Sequence, residues 1–139
     1  MKQFLKRRSF LQKASAVLGA MGISTLFTSN AKAEKPIDGK FVHVVFFWLK
    51  DPQNKEAKKT FESGLRSFIE GVDVIKSHHI GTPANTSRPV IDSSYSFCLI
   101  VTFDSKKEHD IYQEHSLHKK FIEDLSPLWE KVVVYDSIS

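Results

Sequence analysis

Cysteine is almost absent from this sequence: Cys98 is the only one in 139 residues. No intramolecular disulfide can form in any compartment, so the fold must hold through its core. Paired-cysteine metal spacing is excluded too, and no His-Glu-x-x-His pattern occurs. Cys98 lies in an apolar, strand-like run, which marks it as a small buried hydrophobe and not a thiol nucleophile. Internal repeats and low-complexity tracts are missing. Acidic residues are missing from the first 33 positions, which carry six basic ones.

That lopsided start has the three parts of an export signal. Lys2, Lys6, Arg7, Arg8 and Lys13 form a basic region, Ala14 to Phe27 an apolar run, and Ala31-Lys32-Ala33 a small-x-small site. The apolar run is shorter than the roughly 20 residues of a membrane span. Arg7-Arg8-Ser9-Phe10-Leu11 resembles a twin-arginine signal. The expectation is an export signal peptide over 1–33, cleaved after Ala33, and a periplasmic or otherwise exported bacterial domain. Retained, the same segment would tether the domain to the membrane. Setting its six basic residues aside from the twenty in the chain leaves fourteen against sixteen acids, a net of −2. The basic balance therefore belongs to the signal. Nucleic-acid binding, which needs clustered Lys and Arg, is not expected, and the membrane enters only for export.

About one domain's worth of chain remains. Residues 34–40, with Pro36 and Gly39, read as a linker. Phe41 to Leu49 is rich in aromatic and β-branched residues on both faces, a strand to be covered on both sides. Asp51-Pro52 predicts a helix start, with Asp51 as N-cap. Ala57, Phe61, Leu65, Phe68 and Ile69 recur at helical spacing, and Gly71 ends that helix. Ile75 to Ile80 is a weaker strand. A long loop, Gly81 to Ser94, leads to a strong strand, Tyr95 to Phe103, with Tyr95 on the face of Phe97 and Leu99. Ser105 and Glu108 form a capping box for a second helix. That helix runs to about His115, with Ser116 capping a renewed turn. Pro127 breaks it, and Lys131 to Ile138 closes the chain as a strand. The order β-α-β-β-α-β predicts an α+β, ferredoxin-like fold: a four-stranded antiparallel sheet with helices on one face. The other sheet face is apolar and predicts a homodimer packed sheet to sheet.

These pieces resemble the stress-responsive A/B-barrel (Dabb) family of dimeric α/β-barrel domains. The resemblance rests on Val42-His43-Val44-Val45 with Phe47 and Lys50, on Gly81 before the loop, on Ser94-Tyr95 with Val101-Thr102-Phe103, on Tyr112-x-x-His115-x-x-His118 with Phe121, and on Trp129 with Tyr135-Asp136. It spans nearly all of residues 41–138 and implies a domain over 41–139. Many members have no assigned reaction. One plant member type, the olivetolic acid cyclase, closes a polyketide by aldol condensation without a metal. Tyr112, His118 and His43 fall on three of its site positions. The fourth falls on Phe97, which does not ionise, and Ser116 stands where the family has Pro.

Tyr112, His115 and His118 recur every third residue, which on a helix places them on one face, shared with Ile111, Phe121, Ile122 and Leu125. Such polar groups either satisfy one another or line a cavity. In a cavity, His118 is the candidate general base and Tyr112 the hydrogen-bond donor to a developing oxyanion. His43 would orient a second oxygen, unless it is simply a satisfied core histidine. His115, Phe97, Phe121 and Arg88 are the candidate ligand contacts, Arg88 either over the pocket mouth or paired with Asp92. The expected ligand is a small apolar or aromatic molecule. A cofactor-free lyase or cyclase is the enzymatic alternative, and a purely structural dimer needs no cavity. A metal shared by His115 and His118, completed by His43 or a Glu, is the remaining reading, but no metal and no cofactor is expected.

Overall fold

The computed structural model describes residues 37–139. The expected signal segment lies outside the described residues. Seven elements follow one another: β1 (Phe41–Leu49), α1 (Lys55–Glu70), β2 (Ser77–Gly81), β3 (Phe97–Phe103), α2 (Lys106–Glu114), α3 (Ser116–Leu125) and β4 (Trp129–Ile138), with a 3-10 turn at Ser126–Leu128. The sheet order is β2-β3-β1-β4 and every pairing is antiparallel. This is the expected ferredoxin-like α+β arrangement, with the helices on one face.

Strand alternation decides what each side chain meets. Phe41, His43, Val45, Phe47 and Leu49 are buried beneath the helices, together with Phe97, Leu99, Val101 and Phe103 of the neighbouring strand. Phe61 and Leu65 of α1 are fully buried against them. Burying such a side chain stabilises the fold by roughly 1.5–3 kcal/mol. The opposite face carries Val42, Val44, Phe46 and Trp48, which are only half-buried, and Tyr135, which is 63% exposed.

Several boundaries differ from the sequence reading. Asn54, not Asp51, caps α1, its side chain accepting from the Ala57 N–H at 3.0 Å. Asp51 instead accepts from the Gln53 N–H in a local turn ahead of the helix. Tyr95 leaves the inward face and meets Phe46 on the outer one, ring centres 4.9 Å apart. Ser96 breaks the alternation by turning inward, where its hydroxyl accepts from the Leu49 N–H at 3.0 Å. Gly71 does cap α1, but with φ −94°. Space and not handedness selects glycine there, since a Cβ would collide with Leu117.

Candidate functional site

Ser105 caps the start of α2, its hydroxyl accepting from the Glu108 N–H, but the capping box is half made, since the Glu108 carboxylate accepts from that hydroxyl at 3.4 Å and not from the Ser105 N–H. From that start, residues 109 and 112 turn toward the sheet and Ile111 turns outward, 45% exposed. The helix then stops. His115 is extended (φ −64°, ψ 138°), and its own Nδ1 accepts from the Leu117 N–H at 3.2 Å, so His115 caps α3 where Ser116 was expected to. Tyr112 and His118 thus sit on two helices joined at one residue. Their rings meet at 4.8 Å, inclined by 31°.

Beside this pair lies a hollow of about 220 Å³ between the helices and the sheet. His43, Tyr112, Gln113, His118, Phe121 and Trp129 surround it, and the exposed Val132 and Val134 of the edge strand β4 line it too. Trp129 packs on the helix side of the sheet, 5.5 Å from Phe47 and 5.7 Å from Phe121.

The protonation states are set by burial and by fixed partners. His118 donates from Nδ1 to the Gln113 carbonyl at 3.0 Å, which leaves Nε2 as a free acceptor. Burial lowers the His118 pKa, opposed by that hydrogen bond. The Tyr112 pKa is raised, first by burial and then by the nearby Asp136 charge, so the phenol keeps its proton. No hydrogen bond ties its hydroxyl to another described residue, and it is not among the polar atoms sealed from solvent. His43 is buried and its Nδ1 lies 2.6 Å from Asp136 Oδ1. Its pKa is lowered, first by burial and further by His109 and His118, against the hydrogen bond and charge of Asp136. Burial also raises the Cys98 thiol, which keeps it protonated.

Of the expected site residues, the structure gathers His43, Tyr112, His118 and Phe121 around one space. It does not bring the other three there. His115 is used by its own helix start. Phe97 is a core residue against Phe61, ring centres 5.0 Å apart. Arg88 is exposed in the β2–β3 loop and lines no part of the hollow, and Asp92 accepts from the Ser94 N–H instead of pairing with it. The alternative His115–His118–His43 metal set is not assembled, since His115 is used by its own helix start. A different group is: one ligand atom each from His43, His109 and Asp136 lie within 4.8 Å of one another. Sequence reasoning missed His109, Asp136 and Gln113. The three-residue spacing that drew attention to Tyr112 also runs back to His109, and Asp136 shares the His43 face across the sheet.

A family model, described as Stress responsive A/B Barrel Domain, matches residues 41–139. The chain belongs to the stress responsive A/B barrel (Dabb) family. Among solved structures, a Dabb family protein with a ferredoxin-like fold from Mesorhizobium loti is 22% identical, covers 73% of this chain and 97% of its own, and has a TM-score of 0.61. A dimeric ferredoxin-like protein of unknown function from Thermobifida fusca is 15% identical, with coverages of 76% and 97% and a TM-score of 0.60. A hydroxynitrile lyase from Passiflora edulis is 18% identical, with coverages of 73% and 94% and a TM-score of 0.60. At these identities the likeness is one of fold. No curated protein matches the sequence. Inside the Dabb fold, then, the hollow beside Tyr112 has to be understood from its own residues.

Proposed function

We propose that this Dabb domain binds a small, largely apolar molecule carrying an oxygen, held in the hollow by Tyr112 and His118. One observation carries the reading: a protonated phenol and an imidazole Nε2, both without a hydrogen-bond partner among the described residues, share one apolar space. Both polar atoms open onto the hollow and not onto a protein partner, which leaves them available to a guest. The hollow is smaller than the roughly 300–1,000 Å³ of drug-sized sites, so a single ring or a short acyl chain is the right scale. Phe121 and Trp129 supply flat walls, and His43, fixed by Asp136, borders the same space.

The second reading is a cofactor-free lyase or cyclase. It is favoured by the fixed His118 tautomer: a neutral imidazole with Nε2 unprotonated is ready to take a proton near pH 7, while Tyr112 donates to the oxygen that gains charge. A protein of the same fold acts as a hydroxynitrile lyase, which is consistent with lyase chemistry on this scaffold.

Two further parts belong to the proposal. The domain works as a homodimer through the apolar outer sheet face, in line with the dimeric relatives from Thermobifida fusca and Bacteroides fragilis. It is exported by the segment 1–33, which an R7K/R8K variant tests by leaving the protein in the cytoplasm on cell fractionation.

Thermal-shift screening against small aromatic and acyl compounds tests the site. Hits are expected whose affinity falls at least tenfold in both Tyr112→Phe and His118→Ala. Hits indifferent to both substitutions, or none at all, leave only a structural dimer.

A further inference from the structure

We propose that His43, His109 and Asp136 form a binding site for one divalent transition-metal ion of the zinc class. The three come from different elements, β1, α2 and β4, and each offers a ligand atom within 4.8 Å of the others. Two imidazoles and one carboxylate suit zinc and its first-row neighbours. Magnesium and calcium prefer oxygen shells. Three protein ligands leave at least one coordination position open. Tetrahedral metal–ligand bonds of about 2.0–2.2 Å set ligand atoms about 3.4 Å apart, so binding requires a closure of up to about 1.4 Å. Asp136 has the freedom for it, its side chain being 41% exposed.

A second observation concerns His109 itself. His109 is only 9% exposed, and its Nδ1 is the one sealed side-chain polar atom without a hydrogen-bond partner among the described residues. Its ring lies flat on Phe41 at 4.5 Å and stands 5.0 Å from the His43 ring. Asp110 Oδ1 is 3.7 Å from that nitrogen, beyond hydrogen-bond reach. The other nitrogen, Nε2, meets the Gln113 side-chain amide at 3.1 Å. An amide can present its oxygen or its nitrogen to a ring, so Gln113 can hold His109 in whichever tautomer frees a lone pair, the usual outer partner of a ligating histidine. The His43–Asp136 hydrogen bond satisfies those two residues alone. It leaves the second imidazole buried beside them without a part in that pair, and an ion shared by all three gives that imidazole a role.

The site adjoins the hollow through His43 but includes neither Tyr112 nor His118. The test uses the whole protein, stripped with a chelator and titrated with Co2+ by visible absorption and calorimetry. One ion per chain is expected, with d–d bands that bleach on adding Zn2+. His109→Gln and Asp136→Asn should each weaken Co2+ binding at least tenfold. Tyr112→Phe and a His78→Ala/His79→Ala double variant should leave it unchanged. Circular dichroism of each variant confirms folding, and Asp136→Asn, at a half-exposed position, decides the matter if His109→Gln does not fold. Absence of binding overturns the proposal, as does binding that survives both ligand substitutions or disappears with the exposed His78 and His79.

Discussion

Among the described residues Tyr112 is held by packing and its hydroxyl by no hydrogen bond: it is 1% exposed, between Phe68, Phe103 and His118. Tyr112→Phe should therefore change unfolding free energy by less than about 1 kcal/mol in a denaturant titration, while ligand affinity falls. A loss well beyond that would mean the hydroxyl serves the fold. His118 gives a pH signature. Burial sets its folded pKa below the unfolded value of about 6.5. As pH falls, the unfolded chain takes up the proton first, so stability is full above about pH 6.5 and declines toward the folded value. The melting temperature should drop between pH 7.5 and pH 5, and His118→Gln should flatten that slope; an unchanged slope removes His118 as its source. The spacing of Tyr112 and His118 and the strand position of His43 were legible in the sequence. The diversion of His115 was not, because it depends on a helix break that spacing alone does not reveal. Nor was the place of Arg88, because a fourteen-residue loop has no periodicity to orient it.

Elements were legible where a pattern and a stop signal coincided. The Ser105 cap stands where expected, and Phe41 to Leu49 is a strand over its full predicted length. Starts without that agreement moved: Asp51-Pro52 gave way to Asn54, and the last strand begins at Trp129, two residues early. Helix contacts explain glycines that the sequence leaves ambiguous. Gly64 lies in the middle of α1, where glycine costs about 1 kcal/mol relative to alanine. A Cβ there would collide with Leu125, so the missing side chain is what lets α1 and α3 approach. Gly64→Val should lower stability by about 1–3 kcal/mol, measured by urea unfolding, through overpacking of that contact. Unchanged stability would show that Leu125 simply moves aside. Across the break, Lys119 reaches back to Glu114 at 2.7 Å, tying the end of α2 to the start of α3. That exposed pair contributes little energy.

At the scale of the domain, the first strand foretold two apolar faces, and both are present: one under helices, one half-buried. A second copy is the natural cover for the latter, through Val42, Val44, Phe46 and Trp48. Phe46→Glu should convert a dimer to a monomer in analytical ultracentrifugation, because an unpaired carboxylate buried in that interface is strongly unfavourable. A sedimentation coefficient unaltered by the change would place the contact elsewhere. What the sequence withheld is the size of the internal space, since that depends on how far the helices stand from the sheet edge. The edge strand β4 belongs to both faces: Val132 and Val134 look into the hollow, while Val133 and Tyr135 look the other way. It is a partition one backbone thick. Whatever fills the chamber on one side leans on the same ribbon that, in the proposed dimer, meets a second molecule on the other. Any energetic crosstalk through that ribbon is reciprocal: if pairing of the chains tightens the grip on a guest, the guest must tighten the pairing by the same factor.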